Sequence, residues 1–277
     1  MVSDPETKPA LGRETARLDA AQLRAAARAY LEWEVELTGL GLPPHVAAPL
    51  ERAPTAPLAP QNVTQTSPQT QLRSTLPAAP AEDHAAPAHA LRGDKRTRLL
   101  LLEEQVRSCT RCALAQGRTH TVFARGNPDS PVMFIGEGPG QEEDRVGSPF
   151  VGPAGQLLDK MVAAMGFLRD DVYVCNVVKC RPPGNRTPLP SEAGACAPYL
   201  LGQLDVIQPR VIVALGRCAA ENMGLVDGGG WRGRWGKFRD VDVMPTYHPA
   251  FLLRSPEYKR PVWEDLQKVM SKLKGAG

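Results

Sequence analysis

The chain has 277 residues with a formal net charge of +3, long enough for one sizeable domain with extensions or for two small ones. So small a charge by itself says little about nucleic acid, and any binding face has to come from local clustering. No stretch approaches the length of a membrane span and the first residues, Met1 to Glu6, are polar and charged, so a soluble intracellular, cytoplasmic protein is expected.

From about Thr15 to Leu37, Leu18, Leu23, Ala26, Tyr30, Leu31 and Val35 recur at helical spacing among Arg and Glu. This predicts an amphipathic helix within an extension spanning residues 1–42. A lone helix cannot bury its stripe, so it either packs on the main domain or serves as an arm for a protein partner. Residues 43–90, dense in Pro and Ala with few large apolar side chains, bury too little to offset chain entropy and are expected to be a disordered linker. The compact, enzyme-like domain is expected over residues 91–277.

A second helix is predicted from near Asp94, carrying Leu99 to Leu102 and Val106 into Ser108-Cys109-Thr110-Arg111-Cys112. The short apolar run Val132-Met133-Phe134-Ile135 then reads as a buried strand. It breaks into Gly136-Glu137-Gly138-Pro139-Gly140, a loop that neither helix nor strand can continue. A phosphate or dinucleotide loop is the first hypothesis for such a turn and fails in detail. The glycines are spaced G-x-G-x-G, no G-K-[ST] follows, and a glutamate beside the first glycine repels a phosphate. Acids Glu142, Glu143 and Asp144 follow, then the apolar patch Pro149-Phe150-Val151-Gly152 inside a loop, where a Phe needs a reason. A helix is expected from Pro153 to Gly166.

Three more apolar runs follow: Asp171 to Cys175 ending at Asn176, Arg210 to Leu215 ending at Gly216, and Val241 to Thr246 ending at Tyr247-His248-Pro249. Helical segments lie between several of them. This alternation predicts an α/β three-layer sandwich with a central, mainly parallel four-stranded sheet flanked by helices, its ligands bound beyond the carboxyl ends of the strands. Glu137, Asn176 and His248 fall at such ends, and three side chains of different chemistry converging on one cleft suit a small polar ring. The tail holds an apolar wedge, Phe251-Leu252-Leu253, then Arg254, then a basic helix.

Cys109-x-x-Cys112 at a helix end is a ligand or redox motif in an intracellular protein, and Cys180 and Cys196 flank a proline-rich loop that a metal centre would staple. A thioredoxin-like pair is disfavoured because no suitable strand precedes Cys109, and disulfides are not expected inside a cell. Spacing does not separate zinc from an iron-sulfur cluster, since four thiolates suit both. Cys175, in a strand run, and Cys218, in a helix, read as buried small residues.

Taken together, GEGPGQEEDRVGSPFVGPAGQLLD, NVVKCRPPGNRTP, the four-cysteine pattern and HPAFLLR resemble the family 4, iron-sulfur uracil-DNA glycosylases, over about Leu99 to Leu273. The resemblance implies that Cys109, Cys112, Cys180 and Cys196 hold a structural [4Fe-4S] cluster. It implies that Asn176 reads a flipped uracil, Phe150 stacks on it, and Glu143 crowds the position of thymine's methyl group. His248 and Glu137 are the implied catalytic pair, the first donating to uracil O2 and the second serving water and the cationic sugar. Gly136 and Gly138 shape the same loop, and Phe251, Leu252, Leu253 and Arg254 are expected to enter DNA and hold the gap left by flipping. No lysine is indicated as a Schiff-base nucleophile, so a monofunctional monomer acting on uracil-containing DNA, single- or double-stranded, is expected. The inserted basic Lys-Arg-Arg-Ile-His loop of a DNA-linking branch of the superfamily is absent. Activity on hypoxanthine, or a silent iron-sulfur DNA-binding role, remains as an alternative.

Overall fold

In the computed structural model, residues 94–226 and 230–275 are described. The amphipathic helix and linker expected before residue 91 lie outside the described residues.

Helix α1, Lys95–Arg107, starts where Asp94 accepts a hydrogen bond from the Thr97 N–H at 2.8 Å. Leu99, Leu102 and Val106 share its inner face, while Leu100 and Leu101, from the same leucine run, point to solvent. The strands are β1 Ala124–Gly126, β2 Val132–Gly136, β3 Tyr173–Asn176, β4 Val211–Leu215, β5 Gly236–Phe238 and β6 Val241–Thr246. They form one sheet in the order β1-β3-β2-β4-β6-β5. The four inner strands are parallel, as the apolar runs predict, and β1 and β5 add antiparallel edges. The expected sheet is therefore extended by two strands that carry no apolar run: each is three residues long and partly exposed. Edge strands need only one buried face, so the hydrophobic signal that marks inner strands is missing from them.

Side chains alternate across the sheet. Met133, Ile135, Tyr173, Cys175, Ile212, Ala214 and Val243 pack under α1 and under α4, Pro190–Ile207. Phe134, Val174, Val213, Leu215 and Met244 face the other layer, α3 at Pro153–Ala164 and α7 at Lys259–Lys274. Three short helices lie between these: α2 Gln141–Val146, α5 Arg217–Asn222 and α6 Pro249–Leu252. None of the described helices is long and apolar enough to cross a membrane.

Register places the functional segments together. Gly136 on β2 pairs with Asn176 on β3, and Leu215 on β4 pairs with Thr246 on β6, so the chain leaves these strands on one edge of the sheet.

Candidate active site

Beyond that edge lies a cavity of about 450 Å³ whose lining includes Glu137, Glu143, Phe150, Asn176, His248 and Arg254. Gly138 and Phe251 also border it. Most of the sequence-predicted site residues from three strand ends and the tail therefore meet; Gly136, Leu252 and Leu253 are not among the lining.

Phe150 is buried at 5% exposure with φ of 55°, in the left-handed region that a bulky residue rarely adopts. Its conformation is held from two sides. Glu143 Oε1 accepts from the N–H groups of Val151 at 3.0 Å and Gly152 at 2.9 Å, while Oε2 accepts from Gly140 N–H at 3.1 Å. On the other side, a Cβ at Gly155 would collide with the Phe150 carbonyl, so α3 approaches the loop only through a glycine. The ring ends up stacked near His248, centroids 5.6 Å apart and planes 27° from parallel. The Glu143 carboxylate is thus committed to backbone donors. The same side chain lines the cavity and braces the loop that carries Phe150.

Asn176 is 2% exposed, and its Oδ1 has no hydrogen-bond partner. A buried, unpartnered acceptor costs about 1–3 kcal/mol, which a ligand donor would recover. Gly136 makes room for it, because a Cβ there would meet both Asn176 Oδ1 and the Phe150 ring. Gly138 in turn backs onto Val178 and Pro182.

His248 caps α6: its Nδ1 accepts from the Ala250 N–H at 3.1 Å. A neutral ring that accepts at Nδ1 carries its proton on Nε2. Burial, with Arg254 adding to it, pulls the imidazole down to about 4, so the neutral form prevails at physiological pH. Burial likewise raises the Glu137 carboxyl, a hydrogen bond with Thr187 opposes that shift, and the charge of Glu221 adds to it. Thr187 lies within the proline-rich motif, but nothing in its spacing points to Glu137, and only folding brings the two together.

The tail departs from expectation at one residue. Leu252 is fully buried in the core with Val262 and Leu266, whereas Leu253 is 48% exposed. Reading Phe251, Leu252 and Leu253 as one wedge presumes that neighbours point the same way. In a helix successive residues turn by about 100°, and α6 turns Leu252 inward. Phe251 is half-buried against Tyr247 and Tyr258, with centroids 5.0 and 5.1 Å away, and Arg254 is exposed.

Cys109, Cys112, Cys180 and Cys196 line a second, small cavity together with Arg111, Arg118, Lys179 and Tyr199. Arg118 spans it, donating to Cys180 Sγ at 3.2 Å and to the Cys109 carbonyl at 2.8 Å. All six cysteines are free thiols; Cys175 and Cys218 sit apart from this cavity, in β3 and α5. No group of three or more His, Cys, Asp or Glu among the described residues is arranged to hold a single metal ion.

The uracil DNA glycosylase superfamily model matches residues 123–267, about half of the chain. Over 185 residues the chain is 46% identical to a type-4 uracil-DNA glycosylase of Thermotoga maritima, covering 64% of this chain and 95% of that protein. It is 43% identical over 179 residues to a type-4 enzyme of Sulfurisphaera tokodaii, covering 61% and 81% respectively. With a type-4 enzyme of Archaeoglobus fulgidus it shares 42% over 177 residues, covering 60% and 88%. The family motifs, the sheet that positions them and relatives matched almost end to end agree: the chain belongs to the uracil DNA glycosylase superfamily, in its type-4 branch.

Proposed function

We propose that the protein removes uracil from DNA by flipping the nucleotide into the cavity and hydrolysing its N-glycosidic bond, leaving an abasic site for repair. The observation that carries this reading is the buried, unpartnered Asn176 Oδ1 in a cavity that also holds a neutral histidine. Uracil offers an N3–H to that oxygen and an O4 to the amide nitrogen, whereas cytosine presents the reverse pattern and would leave two buried polar atoms mismatched. Phe150 stacks on the base face.

As the bond from the sugar to N1 breaks, negative charge develops on the uracil. His248 Nε2–H donates to O2 and stabilises that charge without first having to lose a proton. Glu137, oriented by Thr187, accepts a proton from the attacking water and faces the cationic sugar. The lining supplies carboxylate, amide and imidazole, which supports hydrolysis by water and a monofunctional reaction. Phe251 and Arg254, which line the cavity, and the exposed Leu253 between them in the chain meet the DNA strand and fill the gap left by the flipped nucleotide.

The four thiols that share one cavity, with cations beside them, fit a [4Fe-4S] cluster held by Cys109, Cys112, Cys180 and Cys196. Bound there, it supplies a cross-link between the end of α1, the loop after β3 and α4. The protein works as a monomer on intracellular DNA.

An oligonucleotide with a single uracil, incubated with the iron-replete protein and treated with hot alkali, is expected to break at that position. His248→Ala is expected to lower kcat by about 10² to 10³ while the circular dichroism spectrum is retained. An uncleaved strand, or equal rates from both proteins, overturns the assignment.

A further inference from the structure

Lys179 is 1% exposed, yet the groups its ammonium meets, the Asn176 carbonyl, Gln203 Oε1 and the Cys175 thiol, are neutral. It donates to the Asn176 carbonyl at 2.8 Å and to Gln203 Oε1, and sits 5.9 Å from the Phe123 ring centroid. Burying an ammonium without a carboxylate costs several kcal/mol, so a compensating negative charge is called for. The neighbouring Cys175 thiol does not supply it, because burial raises that group and keeps it protonated. Lys179 does, however, line the four-cysteine cavity and directly precedes Cys180. Gln203, which orients it, lies two helical turns after Cys196 on α4 and is itself pinned by donating to the Phe123 carbonyl and to the Tyr173 hydroxyl.

One residue therefore meets both sites: Lys179 lines the cysteine cavity, while its ammonium holds the Asn176 backbone. We propose that Lys179 is a positioning residue: it serves as counter-ion to the anionic group held by the four thiolates and anchors the backbone of the base-reading Asn176, coupling the two sites. This rests on the uracil and iron-sulfur readings given above. Coupling is reciprocal: if the charge of the thiolate-bound group affects how tightly uracil is held, uracil must affect the potential of that group.

The test uses the full-length, iron-loaded protein and needs no variant for its first arm. The midpoint potential is measured with and without saturating free uracil; a shift is expected, and identical values overturn the coupling. In the second arm, Lys179→Met removes the charge while keeping the chain length. The potential is expected to fall, since a nearby cation favours the reduced form. Inhibition by free uracil is expected to weaken about tenfold, with KM rising more than kcat falls, as suits the loss of one charge-assisted hydrogen bond that acts on binding. If Lys179→Met does not fold, Gln203→Leu keeps the ammonium but frees it, and is expected to weaken uracil inhibition in the same direction. A folded Lys179→Met protein in which only the potential or only the inhibition moves, or a Gln203→Leu protein inhibited as strongly as the wild type, overturns the link. Wild-type protein that neither excises uracil nor is inhibited by it brings down the uracil reading itself, a result distinct from the other outcomes.

Discussion

The base-sized cavity and the cysteine cavity lie in the same domain but are held together differently. Around the first, the backbone is braced by the chain's own groups, with Asn176 Oδ1 left open: Glu143 ties three backbone N–H groups, His248 caps its own helix, and the Asn176 carbonyl is held by Lys179. Around the second, segments far apart in sequence meet with Arg118 as the main hydrogen-bonded bridge, and the proline-rich loop between them is stayed at its far end by the Arg186–Glu192 pair at 2.7 Å. A recognition site that must discriminate before the ligand arrives is built from rigid backbone contacts. A site that takes a cross-linking group can leave its closure to that group.

The sharpest way to break this contrast is to remove the proposed cluster. Chelation under reducing conditions is expected to raise amide hydrogen exchange strongly across residues 107–118 and 180–196 and to leave the inner strands protected; equal loss of protection in the strands would show that the cysteine region is no separate unit. Next in size is a pair of neighbours at the end of α6. Leu252→Ala is expected to cost about 2–5 kcal/mol in denaturant unfolding, as core leucines do, whereas Leu253→Ala should stay within about 0.5 kcal/mol and lower activity on duplex DNA instead. Similar stabilities for the two would mean that α6 does not separate a core face from a DNA face.

Glu143→Ala tests whether the first cavity is braced as described. Leaving backbone donors unpaired is expected to cost about 1–3 kcal/mol, with KM for uracil-containing DNA raised as Phe150 loses its support. Unchanged stability would remove the brace. The smallest effect is a pH dependence. His248 is held down to about 4 when folded against an ordinary 6.5, so between those values the unfolded chain binds a proton that the folded chain refuses. Stability from this source is complete above pH 6.5 and is lost as pH falls toward 4. The urea midpoint of the wild type is expected to drop relative to that of His248→Gln between pH 7 and pH 5, and parallel curves would contradict the buried, neutral imidazole.

Much of this was legible in local patterns. The four inner strands announce themselves as apolar runs because both of their faces are buried, while β1 and β5, half-exposed and three residues long, leave no such trace. The placement of Glu137, Asn176 and His248 follows from a rule of parallel sheets, that the chain exits toward the ligand at carboxyl ends. The cysteines were legible as a set, but their spacing did not separate the groups that four thiolates suit.

What the amino-acid sequence determined by itself is whatever depends on near neighbours: where strands end, where glycine and proline force a turn, which residue types stand at those ends, and with them the family. What only the tertiary structure decided is which way side chains face and whom they meet. Leu252 turns into the core and Leu253 away from it, the Glu143 carboxylate is taken by the backbone around Phe150, Thr187 finds Glu137, and Lys179 is buried between the two cavities. These outcomes join residues far apart in the chain, and their energies depend on burial and on competing partners that exist only once the layers have packed.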